Sequence, residues 1–509
     1  MEAIAHCADH PKALPIGRRT KVRIVGAALG AAAIGGIAWI ASGGAFTSWL
    51  TPAPRFTRVA ILPLENRTGD STQNYIVDGL TETVISDLAR LEGVDVISLA
   101  SVLGHRTTPK PVDSIARDLE VQAVVQGSVQ RRDGQLLVDV RLTAPGSAST
   151  SADTVVGPAD QVEALEKRIV QTLVRAIGGR LTGQRHAAGS SPNAAQQLYL
   201  RARYHLASRT PEGLQNALDY LRQVLAVDPA HAPAYAGLAQ YDSILPFYTS
   251  TPAGEAFSKA KAAAQKALEL DQYLPEAHGV LAYVLAYGDF DWNGAERTYR
   301  RALALQPSGA DLHHALSRLL AARGRIPEAV VEAERSHTLD PLSLVAHTNI
   351  GVIAYFDRNY AEAKQRLEAT LELDPNFTTA HWGLGLVYEQ LGQPAQAIAS
   401  IDKAVAIDGR GRNYLASLGH IMATSSRRGD AEAILDELTK RGRGGPVNPY
   451  MLALVLVGLG RNDDAITMLD NSYEERSALL SYLGRDPRCD SLRTAPRFGA
   501  LLRRMNLTQ

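Results

Sequence analysis

Apolar and polar residues follow three successive patterns along this chain. The first is an uncharged stretch from Ile24 to Pro54. Its first part, residues 24–44, matches the roughly 20 apolar residues that a helix needs to cross a bilayer. Next, residues 56–181 combine short β-branched runs with helical periodicity, and residues 195–411 repeat a two-helix pattern. These patterns predict a mainly α protein, in which one transmembrane helix and a small α/β domain precede a helical-repeat solenoid.

The charges around the apolar run predict its orientation. Five basic and two acidic residues precede it, and the positive-inside bias places residues 1–23 in the cytoplasm and the bulk of the chain outside. A cleaved signal peptide is the alternative, because "ASGGAF" offers small residues at a cut site. The apolar run is longer than the usual core of a signal peptide, which favours a retained anchor.

Small residues inside the span allow a second interpretation. Gly26 and Gly30 have the GxxxG spacing that permits close contact between membrane helices, and a homodimer through this face is one interpretation. An anchor rich in Ala and Gly also produces such spacings by chance, and this simpler explanation is favoured.

The second pattern, residues 56–181, alternates strands and helices. "RVAILPL" is a continuous apolar run of the kind that forms a buried strand, and "YIVDGLTETVISDLARL" follows with one apolar helical face. "VDVISL" predicts a second strand and "VDSIARDL" a short helix. Two more strands meet at the turn Asp133-Gly134, a strong hairpin signal, and a last helix ends near Ile177. The order β-α-β-α-β-β-α predicts a small sheet with helices packed on it.

The polar turn "ENRTGD" after the first strand has two interpretations. Its oxygen-bearing side chains would suit a cation or a small ligand, but their spacing lacks the anchoring Glu of a cation loop. Such residues also bond their own backbone in turns, so a strand-to-helix connector is favoured. The residues concerned are Glu65, Asn66, Thr68 and Asp70.

The third pattern is a repeat. Similar motifs end at five positions separated by 35, 34, 34 and 34 residues: Gln272, Pro307, Pro341, Pro375 and Gly409. A period of 34 with helix-turn-helix patterning is the signature of tetratricopeptide repeats, and about six copies are predicted. Residues 412–509 are interpreted as degenerate repeats and a C-terminal helical cap, and residues 45–55 and 182–194 as linkers.

The run from "ILPLENRTGD" to "GSVQRRDGQLLVDVRL" resembles the TolB amino-terminal-like domain of bacterial tetratricopeptide proteins. In that group the domain often follows a membrane helix, and relatives carry a CadC-like winged-helix or a cyclase domain at the cytoplasmic end. The resemblance implies a single-pass protein of the bacterial inner membrane with a periplasmic bulk. This chain differs in having 23 residues before the span. It differs again at residues 145–160, which are rich in Ser and Ala and are predicted to form a loop instead of a further strand.

Composition and motifs exclude several classes of partner, metal site and enzyme. Lys plus Arg and Asp plus Glu balance at 53 each, which argues against a nucleic-acid partner. The only cysteines, Cys7 and Cys489, rule out a disulfide framework and make a thiolate metal cage very improbable. No P-loop, GxSxG, HExxH or dinucleotide-binding loop is found. We therefore predict no enzymatic activity, no cofactor and no metal.

Four histidines recur at one repeat position, at steps of 35, 34 and 34 residues: His278, His313, His347 and His381. Such a ladder raises the hypothesis of a metal or pH-sensing site. Equivalent residues of stacked repeats lie roughly 10 Å or more apart, whereas zinc needs nitrogens about 2.1 Å from one ion. Half-buried packing histidines are therefore the favoured interpretation.

The remaining candidate site is the concave surface that the first helix of each repeat builds, where repeat proteins bind peptides. Aromatic residues and Arg are enriched at binding hot spots, although tyrosines at this surface can instead fill seams between helices. If the chain follows the tetratricopeptide pattern, the surface includes Tyr283, Tyr287, His314, Arg318, Thr348, Tyr355, Trp382 and Glu389.

The sequence thus predicts a non-enzymatic, membrane-anchored scaffold or sensor module that captures a protein or peptide partner in its repeat groove. Two alternatives stay open. One is a cytoplasm-facing repeat protein that regulates signalling or transcription. The other is a small-molecule sensor that uses the α/β domain.

Overall fold

The computed structural model describes most of the chain after residue 54. The predicted transmembrane helix at residues 24–44, with Gly26 and Gly30, lies outside the described residues. Among the helices that are described, none is both long and apolar enough to cross a membrane. The described residues are 55–106, 110–147, 151–182, 193–249, 251–408, 412–441 and 448–507.

A six-stranded sheet forms the centre of the α/β domain. Its strands are β1 (Arg58–Ile61), β2 (Glu65–Asn66), β3 (Asp95–Val96), β4 (Ala123–Arg132), β5 (Gln135–Thr143) and β6 (Ser151–Pro158). β1 is parallel to β3 on one side and to β4 on the other, and β2 pairs with the second half of β4. β4, β5 and β6 are antiparallel neighbours. The chain therefore crosses β1 on its way from β3 to β4, and the strand order reverses at β1.

Helices cover this sheet through the apolar faces that the sequence predicts. They are α1 (Asn74–Leu88), α2 (Leu99–Leu103), α3 (Val112–Asp118) and α4 (Val162–Ile177). Ile76, Leu80 and Val84 of α1 are buried, and Leu165 and Ile169 of α4 join them in one core with the strands. A face of this kind has to be covered, because each large apolar side chain removed from water contributes about 1.5–3 kcal/mol.

The predicted loop at residues 145–160 is wrong for its second half, which forms β6. β6 pairs with β5 from Leu142 opposite Ser151 to Gln135 opposite Pro158. Only Val155 and Gly157 among its residues are buried. This edge strand has little apolar alternation, so it is stabilised by its backbone hydrogen bonds to β5. Its Ser/Ala-rich composition is the reason that the sequence pattern did not predict a strand.

The "ENRTGD" turn uses its own side chains to hold its shape. The Asn66 side chain accepts a hydrogen bond from the Thr68 amide (3.0 Å) and donates to the Asp70 carbonyl (3.1 Å) and to Asn74 Oδ1 (2.7 Å). Asp70 in turn accepts from the Thr72 amide at 2.9 Å, at the start of a short 3-10 helix. These contacts agree with a strand-to-helix connector for the second half of the stretch, whereas Glu65 and Asn66 form the short strand β2, which was not predicted.

Eight helix pairs and a final helix follow in the described part of the chain. The first four pairs are α5 (Asn193–Ala207) with α6 (Pro211–Val227), α7 (Ala232–Tyr248) with α8 (Ala253–Leu270), α9 (Pro275–Tyr287) with α10 (Trp292–Leu305), and α11 (Ala310–Ala322) with α12 (Ile326–Leu339). The last four are α13 (Leu344–Phe356) with α14 (Tyr360–Leu373), α15 (Thr378–Gln390) with α16 (Pro394–Ile407), α17 (Arg412–Thr424) with α18 (Arg428–Arg441), and α19 (Pro449–Gly458) with α20 (Asn462–Glu474). The 3-10 segments Ala478–Tyr482 and Pro487–Leu492 then lead to α21 (Pro496–Arg504).

Small residues set the distance between the helices of a pair. A Cβ added at Gly385 of α15 would lie 2.4 Å from Ile401 Cγ1 on α16, and one added at Gly351 of α13 would lie 2.9 Å from Leu367 Cγ on α14. Both separations are far shorter than ordinary carbon contacts. Glycine at these positions is therefore a steric requirement of the repeat.

The histidine ladder packs as predicted and also forms a repeated hydrogen bond. Each Nε2 donates to the carbonyl oxygen six residues earlier, at the motif that closes the preceding repeat. The pairs are His278 with Gln272 at 3.0 Å, His313 with Pro307 at 3.1 Å, His347 with Pro341 at 3.0 Å, and His381 with Pro375 at 2.8 Å. Each histidine thus holds the turn that leads into its own helix, which the sequence alone did not suggest.

Polar contacts fasten the α/β domain to the repeats within one compact unit that begins at Pro54. Arg335 of α12 forms a bidentate pair with Asp95 of β3, at 2.5 and 2.7 Å. The hydroxyls of Ser98 and Ser101 both donate to Asp340 at 2.5 Å, directly after α12. Charge-assisted bonds of this kind are about twice as strong as neutral ones, so the domain has a fixed orientation on the solenoid.

Candidate functional site

The C-terminal segment, residues 478–507, covers the first helices of the later repeats. The ring of Tyr482 stacks on Phe356 of α13, with centroids 4.2 Å apart and planes 2° from parallel. The indole Nε1 of Trp292 donates to the Met505 carbonyl at 2.7 Å in a buried contact. The segment and helices α9 to α15 contribute to one hydrophobic core.

This arrangement corrects the prediction of an open groove at several of the proposed partner-binding residues. Tyr287, Thr348 and Tyr355 are buried, with 4 %, 2 % and 2 % of their surface exposed. Trp382 is half-buried and donates to Ser417 at 2.9 Å. The physical reason is that other parts of the same chain, among them the C-terminal segment and α17, pack against these residues.

Glu389 also lies against the chain itself. Its Oε1 accepts a hydrogen bond from Thr424 at 3.0 Å and is 3.3 Å from His420 Nε2. Its other carboxylate oxygen, Oε2, is buried and has no hydrogen-bond partner in the described part of the protein. The residue belongs to the seam between α15 and α17.

A buried ion pair lies at the centre of the C-terminal segment. Arg488 Nη2 donates to Asp486 Oδ2 at 2.7 Å, and Arg488 Nε donates to Asp486 Oδ1 at 3.0 Å. Neither side chain is more than 3 % exposed. Tyr450 donates to Asp486 at 3.0 Å, and Arg488 Nη1 donates to Ser417 at 3.2 Å. Arg488 holds the pKa of Asp486 below its usual value although burial opposes the charge.

Two predicted residues on α11, His314 and Arg318, lie beside the C-terminal segment. Burial, and then the Arg318 charge, lower the pKa of His314 to about 3, so its imidazole is neutral. Its Nδ1 has no hydrogen-bond partner among the described residues. Arg318 is solvent-accessible and has Tyr287 and Tyr482 as its strongest electrostatic neighbours.

The open part is a cleft of about 910 Å³, which we call the interdomain cleft. One wall comes mainly from α1 and α2 of the α/β domain, and the other comes mainly from the first helices of the first four repeats, α5, α7, α9 and α11. Tyr283 is the predicted partner-binding residue that lines it. Leu103 on the first wall and Phe247 on the second are 42 % and 60 % exposed, so each wall presents an uncovered apolar side chain.

Some charged side chains in the interdomain cleft form ion pairs and others do not. Arg203 of α5 pairs with Glu82 of α1 at 2.5 Å, a bridge between the two walls. Asp311, in the first turn of α11, accepts no hydrogen bond and has no cation within ion-pair distance among the described residues. The Asp311 side chain is exposed to solvent. The protein atoms around it, and then the nearby Asp340 carboxylate, raise the pKa of Asp311, which Arg209 opposes. Neither of these features was suggested by the sequence.

A second cavity, of about 1050 Å³, lies on the α/β domain where the strand order reverses. Its polar floor includes Ser128, Asp139 and Thr154, which lie opposite one another on β4, β5 and β6. Thr154 donates to Asp139 at 2.7 Å. At its edge, both ring nitrogens of His105 are without a hydrogen-bond partner in the described residues, and burial followed by the Lys110 charge lowers the pKa of His105.

The described residues contain no group of three His, Cys, Asp or Glu side chains that could hold a metal ion. Cys489 is buried, and burial raises the pKa of its thiol well above the usual range. Such a thiol is a packing residue and not a nucleophile, because the reactive form is the thiolate.

Residues 285–343 and 348–411 match the protein-family model for the tetratricopeptide repeat. The chain carries tetratricopeptide repeats. The two matched stretches run from α9 to the end of α16, where the structure shows four consecutive helix pairs and where the 34-residue period is most regular. The prediction of a repeat solenoid beside a small sheet is thereby confirmed.

Relatives with curated descriptions match smaller parts of the chain. "Putative adenylate cyclase 3" of Rhizobium meliloti (strain 1021) is 27 % identical over 242 residues, which are 46 % of this chain and 41 % of that protein. The transcriptional regulator HilA of Salmonella typhimurium is 26 % identical over 199 residues, 39 % of this chain and 36 % of HilA. The chain thus spans about two fifths of the length of these relatives.

Solved structures show similarity to the helical part. A tetratricopeptide repeat protein from Parabacteroides merdae has 15 % sequence identity and a TM-score of 0.41, with 52 % of this chain and 99 % of that chain covered. Pseudomonas aeruginosa pilF has 22 % identity and a TM-score of 0.33, with 43 % and 94 % covered.

Proposed function

We propose that this chain is a non-enzymatic, membrane-anchored scaffold or sensor module, and that it binds a segment of a protein partner in the interdomain cleft. Tetratricopeptide repeats generally act as protein-interaction scaffolds, with binding on the concave side. The observation that supports this location is that only one part of the concave surface is open. The C-terminal segment fills the part formed by the later repeats, whereas the interdomain cleft is open and presents uncovered apolar residues.

The interdomain cleft has properties typical of a binding site. Its walls come from two domains whose relative orientation is fixed by the Arg335–Asp95 and Ser98–Asp340 contacts. Binding to a preformed cleft costs less conformational entropy than binding to a mobile one. The exposed ring of Phe247 is an aromatic anchor of the type found at binding hot spots.

Photo-crosslinking in cells tests this proposal. The azide analogue of phenylalanine placed at Phe247 in the full chain should form an adduct with another protein. The matched control is the same residue placed at Val331 of α12, which is 67 % exposed but does not line the interdomain cleft. Equal adducts at both positions, or no adduct at Phe247, would overturn the proposed location.

The membrane-anchored part of the proposal rests on the sequence. The uncharged residues 24–44 and the basic residues before them support an inner-membrane anchor with a periplasmic bulk. The resemblance of residues 56–181 to a TolB amino-terminal-like domain supports the same topology. Reporters that are active in only one compartment, fused after Gln509, test it. A periplasmic signal alone is expected, and a cytoplasmic signal would instead make the chain a cytoplasm-facing regulator.

The names of two relatives support the proposal that this chain is a sensor module. One is named as a cyclase and the other is a transcriptional regulator, so the part shared with this chain is proposed to receive a signal that other parts convert into output. The match covers a minority of each relative, so neither activity is assigned to this chain.

A small-molecule sensor is the second candidate, because of the polar cavity on the α/β domain. In open α/β sheets, ligands bind in the crevice beyond the carboxyl ends of parallel strands, where the strand order reverses. The cavity lies at this point of the sheet, next to the loop after β1. A metabolite that binds there should raise the melting temperature of the chain and should lose this effect in Asp139→Asn. An equal rise in both proteins would refute this site.

A further inference from the structure

The carboxylate of Asp311 is exposed to solvent and has no hydrogen-bond or ion-pair partner among the described residues. Asp311 lies in the first turn of α11 and lines the interdomain cleft. The other carboxylate nearby, Asp340, accepts hydrogen bonds from Ser98 and Ser101. The one guanidinium that acts on Asp311, that of Arg209, is not within ion-pair distance of it. Water is therefore the only available partner of this carboxylate within the described structure.

The charges that line the interdomain cleft leave it with a negative excess. Four carboxylates face two guanidinium groups, and the Arg203 guanidinium is already paired with Glu82. The carboxylates are those of Glu82, Glu276, Asp311 and Asp340, and the guanidinium groups are those of Arg203 and Arg209. A partner that brings positive charge would relieve this imbalance, because complementary charges select partners and reject those of like sign.

Aromatic rings occupy the same cleft as this negative excess. Phe247, Tyr283 and Tyr199 all line it, and the Tyr199 ring already has the Arg203 guanidinium over it, 5.9 Å from the ring centroid. The faces of aromatic rings attract ammonium and guanidinium groups, by about 0.5–2 kcal/mol depending on solvent exposure. An acidic cleft with aromatic walls is thus suited to long basic side chains, whose methylene groups pack on apolar surface while the charged end reaches a carboxylate.

We propose that the interdomain cleft recognises a peptide segment that carries a lysine or arginine next to large apolar residues, with Asp311 as the acceptor for the basic group. The inference rests on the proposed function and gives the chemical class of the partner. The apolar residues of the segment lie against Leu103 and Phe247 on the two walls. A cavity of about 910 Å³ falls within the usual size range of sites that enclose a drug-sized ligand, so it accommodates a few side chains and not a folded domain.

Asp311 also has a role that needs no ligand. A negative charge in the first turn of a helix interacts favourably with the helix dipole, by about 0.3–1 kcal/mol. That role predicts a small loss of stability in Asp311→Asn and no effect on the choice of partner. Selectivity between peptides is therefore the decisive readout.

The test uses the full chain in detergent micelles and fluorescein-labelled peptides that contain leucine, phenylalanine and one variable residue. Peptides with lysine or arginine at the variable position should bind about tenfold or more tightly than those with glutamate. Asp311→Asn should reduce this ratio to within about threefold. Asp402→Asn, which changes an exposed aspartate on α16 outside the cleft, should leave it unchanged. Peptides in which alanine replaces the apolar residues should bind weakly to every form.

Equal binding of the lysine and glutamate peptides would overturn the inference, and so would a basic preference that survives Asp311→Asn. Crosslinking at Phe247 separates this failure from a failure of the proposed function. Adducts at Phe247 without a basic preference would mean that the cleft binds a partner of another chemistry. Absence of both would refute the cleft as a binding site.

Discussion

The buried pair Asp486–Arg488 allows a quantitative test of how the C-terminal segment is held. Replacing Arg488 by methionine removes the guanidinium and leaves the Asp486 carboxylate in a site with no exposed surface. Breaking a buried pair by removing one partner costs about 3–5 kcal/mol, because the remaining charge is uncompensated. Tyr450 and the backbone amide of residue 488 still donate hydrogen bonds to Asp486, which argues for the lower half of this range.

Local opening is the appropriate quantity to measure, because a chain with several cores does not unfold as a two-state system. Amide hydrogen exchange of residues 478–507 reports this opening directly. A loss of about 3–4 kcal/mol corresponds to roughly a 150- to 900-fold faster exchange, up to the limit set by the stability of the segment. Exchange in the sheet, residues 123–143, should change little.

Two further variants separate charge from packing. Arg503→Met, on an exposed position of α21, should leave exchange in the segment unchanged. The double variant Arg488→Met with Asp486→Leu removes both charges and should recover most of the protection, since apolar side chains often replace a buried pair at little cost. Unchanged exchange in Arg488→Met alone would refute the claim that this pair holds the segment in place.

Three other predictions concern the repeats. Gly385→Ala should cost about 1–3 kcal/mol, because its Cβ would lie 2.4 Å from the neighbouring helix; Gly429→Ala, which meets nothing within 4 Å, should melt at or above the temperature of the parent protein. Trp292→Phe leaves the Met505 carbonyl without its donor and should cost about 1–3 kcal/mol, seen as faster exchange at the end of the chain. The pKa of His314 is about 3, against about 6.5 when unfolded. The unfolded state therefore binds more protons below pH 6.5, and about 2 kcal/mol of stability is lost by pH 5. His314→Asn should flatten the fall in melting temperature between pH 7 and pH 5, and an unchanged slope would contradict this assignment.

Regular repetition is what made most of the fold predictable from the sequence. The 34-residue period and the small residues at helix crossings led directly to the solenoid, because sterics at Gly351 and Gly385 leave few alternatives. The hairpin at Asp133-Gly134 was equally clear. β6 was missed because most of its side chains are exposed, so its formation depends on the neighbouring strand and not on its own pattern.

The candidate site was much less predictable. Tyr287 and Tyr355 have the expected place on the first helices of their repeats, but the sequence does not reveal that residues 478–507 cover them. This packing joins residues far apart in the chain, such as Trp292 and Met505, and no local pattern records it. The interdomain cleft depends in the same way on contacts between two domains, and its unpartnered Asp311 is an ordinary helix-start residue in the sequence.

The central claim is that the chain itself fills one part of the concave surface and leaves the interdomain cleft for a partner. Photo-crosslinking from both parts in the full chain tests it most directly, with the azide analogue of phenylalanine at Tyr482 or at Phe247 and mass spectrometry of the adducts. At Tyr482 the account predicts an adduct within the same chain, to α13 around Phe356. At Phe247 it predicts an adduct to another protein. The reverse pattern, with a second protein captured from Tyr482 and none from Phe247, would contradict the account.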